Sequence, residues 1–137
     1  MTRRELRVEG LPEPISHYTD AVQAGEMLYL SGIIAVDQAG KLVGGEDVVA
    51  QARQVFAVMG RVLAAAGAGP DAIVKVTVYL LDIGDRTLIN PVRQEFFGSA
   101  RPASTLVEVS RLAVPGARVE VDAVAYLPSA HENSERR

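Results

Sequence analysis

A carboxylate set among apolar neighbours is the clearest chemical feature of this chain. In the run Val119-Glu120-Val121-Asp122-Ala123-Val124-Ala125, Glu120 has a valine on either side. A glutamate so placed can position a water and pass a proton to a leaving group, as a general acid–base does. Its pKa rises wherever desolvation outweighs its hydrogen bonds. The plainer alternative is a glutamate on the exposed face of a strand. Other chemistries lack their residues. With no cysteine there is no disulfide framework, thiolate nucleophile or cysteine metal site. The histidines are His17 and His131, the second in a polar tail, so one chain cannot build a metal cluster around them. No Ser-His-Asp arrangement can be argued. Gly44-Gly45 stands before a helical pattern without a Walker or dinucleotide motif, and a turn explains it.

The chain that must position Glu120 is 137 residues long, which fits one domain over residues 1–137, and its 48% apolar content can fill the core of such a domain. The net charge is −3 and no Lys/Arg cluster stands within the domain, which argues against binding nucleic acid or an anionic membrane. The opening Met1-Thr2-Arg3-Arg4-Glu5 leads into no apolar run, and no apolar stretch approaches the roughly 20 residues that span a bilayer. The expectation is a soluble, cytoplasmic protein.

Residues 1–16, with Pro12 and Pro14, read as a lead-in arm without regular structure. His17 belongs to it as a partly exposed residue. A strand is expected from Tyr18 into Ala24, a turn at Gly25-Glu26, and a nearly uninterrupted apolar strand from Met27 to Ile33, as if both of its faces were covered. A turn at Asp37-Gln38-Ala39-Gly40 predicts a short edge strand near Leu42. Val48, Val49, Ala52, Val55, Phe56, Met59, Val62, Leu63 and Ala66 form one stripe of a helix over 46–66, with Glu46 and Asp47 in its first turn.

Period two returns from Ile73 to Leu81, with Val74, Val76, Val78 and Leu80 on one face. Asp85 can cap a second helix running to Phe97. Pro91 interrupts it, so Asn90 and Pro91 can instead be the cap and first position of its regular part. Thr105–Val109 and Val119–Tyr126 are the last strands, and a polar tail covers 128–137. The order is β-β-β-α-β-α-β-β. Two helices cover one face of such a sheet, and the other is too apolar to remain in water, which points to burial against another copy.

Three runs carry a family resemblance: Asn90-Pro91-Val92-Arg93-Gln94-Glu95-Phe96-Phe97, Arg101-Pro102-Ala103-Ser104-Thr105-Leu106-Val107-Glu108-Val109-Ser110-Arg111-Leu112, and the Glu120 strand. Leu30-Ser31-Gly32-Ile33, Tyr18 after its proline-containing arm and Gln51-Ala52-Arg53-Gln54 agree with them. Over residues 10–127 the chain resembles the RidA (YjgF, L-PSP endoribonuclease-like) family. That resemblance implies an α+β, chorismate-mutase-like fold: a mixed sheet with two helices on one face, three copies packing their sheets inward, and a cleft at each subunit interface. It implies a cofactor-free, metal-free hydrolase that converts reactive imines and enamines to 2-oxo acids and ammonia. By the same likeness Glu120 is the catalytic group, and Tyr18, Ser31, Gly32 and Asn90 bind substrate with the residues at 104 and 106.

At two positions the chain departs from the family. The deaminating members hold the substrate carboxylate with an arginine where this chain has Ser104, and a cysteine there is Leu106 here. A serine offers one neutral hydrogen bond in place of a planar, charge-assisted fork, a loss of about 1.5–3 kcal/mol. Arg101, roughly 10 Å upstream along an extended chain stiffened by Pro102, is not expected to stand in. The changes imply a substrate other than the usual 2-imino acids, or binding without turnover in a ligand-binding or regulatory protein. An endoribonuclease, which the L-PSP name implies for some members, fits least well with the acidic charge and the missing basic stripe.

Overall fold

The computed structural model describes residues 2–128; the polar tail expected beyond them lies outside the described residues. Six strands make one sheet: β1 (Arg3–Leu6), β2 (Ala21–Ala24), β3 (Met27–Ile33), β4 (Ile73–Leu80), β5 (Ala103–Glu108) and β6 (Val119–Tyr126). Their spatial order is β1-β2-β3-β6-β4-β5. The chain crosses from β4 to β5 through helix α2 (Arg86–Phe97), so this one pair is parallel; the others are antiparallel.

Alternation along β6 decides where the core lies. Val119, Val121, Ala123 and Ala125 are buried, while Glu120, Asp122, Val124 and Tyr126 between them are half-buried. The buried set packs in one cluster with Val55, Met59, Val62 and Leu63 of α1 (Val48–Ala65) and Ile89 and Val92 of α2. Both helices therefore cover one face, and the fold is α+β as expected. By length and apolarity α1 would pass as a membrane span, yet half of it is buried within the fold, its apolar stripe facing the sheet.

The element order is the expected one, but one strand has moved. Residues 3–6 are not irregular arm: they pair with β2, Arg3 opposite Ala24 and Leu6 opposite Ala21. Three of the four side chains are exposed and charged, as befits an edge strand guarded against further pairing, and the charges hide its period from the sequence. The edge strand expected near Leu42 is a single bridge to Val36.

Several local expectations change with it. Glu46 and Asp47 do not lie in the first turn of α1; Asp47 is its cap, accepting from the Val49 and Ala50 N–H groups at 3.0 and 3.3 Å. Asp85 precedes α2 but caps nothing. It is buried and paired with Arg118 at 3.0 Å instead. Pro91 does not start the regular part of α2; the helix runs through it from Arg86. The missing N–H strands only the Thr87 carbonyl near the helix start, and Pro91 is exposed, so its ring meets solvent rather than packed neighbours. Asn90 is consequently a mid-helix residue, not a cap.

On β4, Val74 is not on the core face. The pairing with β6 shifts between Ile73 and Lys75, so Ile73 is buried and Val74 is 44% exposed.

Candidate functional site

A second shift, on β3, builds the surroundings of Glu120. Leu30 lies opposite Ala123 and Ile33 opposite Val121, so Ser31 and Gly32 together face the single residue Asp122. This bulge keeps Leu30 and Ile33 both in the core and turns Ser31 and Gly32 toward the face that carries Glu120. The Glu120 carboxylate then lies directly over Gly32. A Cβ there would meet Oε2 at less than contact distance and stand 3.0 Å from Cδ. Gly32 does not have a positive φ, so space rather than backbone conformation requires glycine at this position.

Glu120 is half-buried. Burial pushes its carboxyl above the usual carboxylate range, and the negative charge of Asp122, on the same face, pushes it further. Asp122 accepts a hydrogen bond from the Tyr79 hydroxyl at 2.9 Å, which raises the tyrosine pKa in turn. Tyr79 stands beside Glu120 in the β4–β6 register. The sequence reading did not single out Tyr79 or Asp122; the shared period of their strands was the signal available.

Gly32 also lines a cleft of about 490 Å³, with Pro12, Ile15, Tyr18, Ser31 and, from α1, Val58 and Val62; Glu120 is not part of its lining and adjoins it through Gly32. Tyr18 is 49% exposed on its wall and precedes β2 rather than lying in it. The Ser31 hydroxyl donates to the Thr19 carbonyl at 2.6 Å, and the Ser31 N–H to the Asp20 carbonyl at 3.0 Å. The serine thus pins the Tyr18 segment to β3 and keeps lone pairs for a ligand. Asp20 accepts from the Val8 N–H at 2.7 Å and pairs with Arg7, fixing the arm over the cleft.

Asn90, Ser104 and Leu106 gather elsewhere. Ser104 lies opposite the buried Val76 and Leu106 opposite the buried Val78, so both side chains turn toward the helices. Leu106 packs against the core cluster, and Ser104, on the edge strand, is exposed. Its hydroxyl accepts a hydrogen bond at 2.7 Å from Arg93 of α2, three residues after Asn90. Burial pulls the Arg93 guanidinium below the ordinary arginine value, the mark of a charge partly stripped of water. Within one chain the Glu120 group and the Ser104 group face opposite sides of the sheet.

Buried polar contacts hold the start of β6. Gln51, fully buried on α1, donates to the Gly45 and Gly116 carbonyls at 2.7 and 3.0 Å and accepts from the Arg118 N–H at 2.8 Å. Arg118 also binds Asp85, so the loop before β6 is tied to α1 and to the turn that leads into α2, two residues from Glu120. Among the described residues no three His, Asp or Glu side chains gather as a metal site.

Residues 9–127 match the Endoribonuclease L-PSP family. The chain is 41% identical over 119 residues to the RutC family protein PH0854 of Pyrococcus horikoshii, covering 86% of this chain and 93% of that one. It is 37% identical over 126 residues to the 2-iminobutanoate/2-iminopropanoate deaminase of Capra hircus, covering 91% and 90%. The structure superposes on that of the YjgF gene product of E. coli with a TM-score of 0.82 at 33% identity, covering 90% and 98%. Sequence and architecture together place this chain in the RidA (YjgF) family of L-PSP proteins.

Proposed function

We propose that the protein is a cofactor-free hydrolase of reactive imines or enamines, working in the cytoplasm as a homotrimer whose clefts lie between subunits. The observation that carries this reading is the half-buried Glu120 carboxyl, its pKa raised, poised over Gly32, which lines a cleft together with Tyr18 and Ser31. Imine hydrolysis requires a held substrate, a positioned water and a proton carrier. A raised pKa makes Glu120 a better proton acceptor, so it can take a proton from the attacking water and return it to the departing nitrogen. Water adds to the C=N carbon, the carbinolamine collapses, and ammonia leaves as the carbonyl forms. The relatives named as 2-iminobutanoate/2-iminopropanoate deaminases support this class of reaction.

The test generates 2-imino acids in situ with an amino-acid oxidase and follows their loss with wild-type protein, Glu120→Gln and Ser104→Arg. Acceleration by the wild type that Glu120→Gln abolishes is the expected result. An inert wild type whose Ser104→Arg variant gains activity would instead mean a natural ligand other than an imino acid. A wild type that binds ligand without turnover, unaffected by Glu120→Gln, would make the protein a sensor.

A further inference from the structure

Among the described residues two arginines are not exposed, Arg93 and Arg118. Arg118 has its acid, Asp85. Arg93 has none: its contact is the neutral Ser104 hydroxyl, and no described carboxylate lies within ion-pair distance. A guanidinium carries five donors in a planar fork. Here one is bonded to Ser104 and the remaining donors are open to solvent, with the Asn90 amide one helical turn away on α2. A partly desolvated charge without a counter-ion is costly, and the cost falls when an anion completes its bonds.

We propose that Arg93, oriented by Ser104, is the anion anchor of this protein and takes the carboxylate of a small substrate from the α2 side. The inference rests on the reading of the protein as an imine hydrolase for the substrate's remaining chemistry. A single carboxylate suits the site better than a phosphate, because one cation stands there among neutral groups. Lys75, a third half-buried cation after Arg93 and Arg118, points to the opposite face, where it donates to Thr105 at 2.6 Å. Ser104 is then a positioning residue, and the charge missing from the strand is supplied from the helix. An anchor that reaches in from α2 holds the anion at a different angle, which would alter which imino acids fit.

The test is binding of pyruvate and of its uncharged isostere pyruvamide to the full-length protein by calorimetry, alongside its mass in solution. The wild type is expected to prefer the acid by roughly ten- to hundredfold, the range of a charge-assisted hydrogen bond. Arg93→Gln should erase that preference without changing pyruvamide binding, Arg93→Lys should restore part of it, and Ser104→Ala should weaken it less. Arg101→Gln, at an exposed position, should leave it intact. Equal affinity of the wild type for acid and amide would overturn the proposal. So would an Arg93→Gln variant that still prefers the acid, or one that changes only the assembly. Imine hydrolysis is measured separately: a wild type that holds pyruvate through Arg93 yet hydrolyses no imine sinks the enzymatic reading and leaves the anchor standing.

Discussion

At the scale of single residues, Glu120 links pH to both stability and turnover. Its carboxyl pKa is raised in the fold, by burial first and by Asp122 second. Above the unfolded glutamate value of 4.5 the folded chain therefore holds a proton that the unfolded chain has released. Folded protein binds more protons in that window, so this contribution is fully present below the unfolded pKa and is lost as pH rises through the folded one. Denaturant titrations across pH should show that decline, and Glu120→Gln should flatten it. The limb of the kcat/KM profile that follows Glu120 should likewise sit above the ordinary carboxylate range. Asp122→Asn should move it to lower pH, and an unmoved limb would mean that the two carboxylates are not coupled. Gly32→Ala tests the geometry. The new methyl displaces the end of a flexible side chain rather than backbone, so stability should change by less than about 1 kcal/mol. Hydrolysis should nevertheless fall by about tenfold or more, because the carboxyl is pushed from its place.

At the scale of elements, α1 is secured by its cap and by Gln51. Asp47→Ala removes two hydrogen bonds to helix N–H groups and should cost about 1 kcal/mol in chemical denaturation. Gln51→Leu strands the Gly45 and Gly116 carbonyls and the Arg118 N–H, and should cost about 3 kcal/mol, with the start of β6 losing hydrogen-exchange protection first. Elements with a strong period were legible in the sequence: the stripe of α1, the alternation of β6 and the bounds of β3. What escaped had no local signature. The charges of β1 are those of an edge strand and resemble an arm. The bulges at Val74 and at Ser31-Gly32 depend on partner strands, and a strict period of two misplaces Val74 by one position. Asp85 looks like a cap until Arg118, thirty-three residues later, is brought against it. Glu120, Ser31, Gly32 and Tyr18 were legible as a group through family likeness. Arg93 was not, because its role depends on a helix passing over Ser104 and no motif marks it.

At the scale of the whole molecule, the sheet face away from the helices and the division of polar groups between its two sides lead to the same expectation. That open face presents Tyr29, 49% exposed, with half-buried Val124, Tyr126, Thr77 and Tyr79 around it. Packing against copies of itself would remove it from water, and a closed symmetric ring is the economical form. Light scattering should then give three times the 14.6 kDa chain mass, and Tyr29→Lys, which places a charge on that face, should shift the mass toward the monomer. A cleft shared between subunits makes a stronger prediction. Because Glu120 and Arg93 turn to opposite sides of the sheet in one chain, a complete site needs Glu120 from one copy and Arg93 from its neighbour. Glu120→Gln and Arg93→Gln should each be weak alone at low substrate concentration. Co-refolded in equal amounts, they should form rings in which some interfaces carry both wild-type residues. Random mixing would place both at about one interface in four and return about a quarter of the wild-type rate. A site built within a single chain would gain nothing from the mixture, so the absence of any recovery from well-formed mixed rings would exclude the shared cleft.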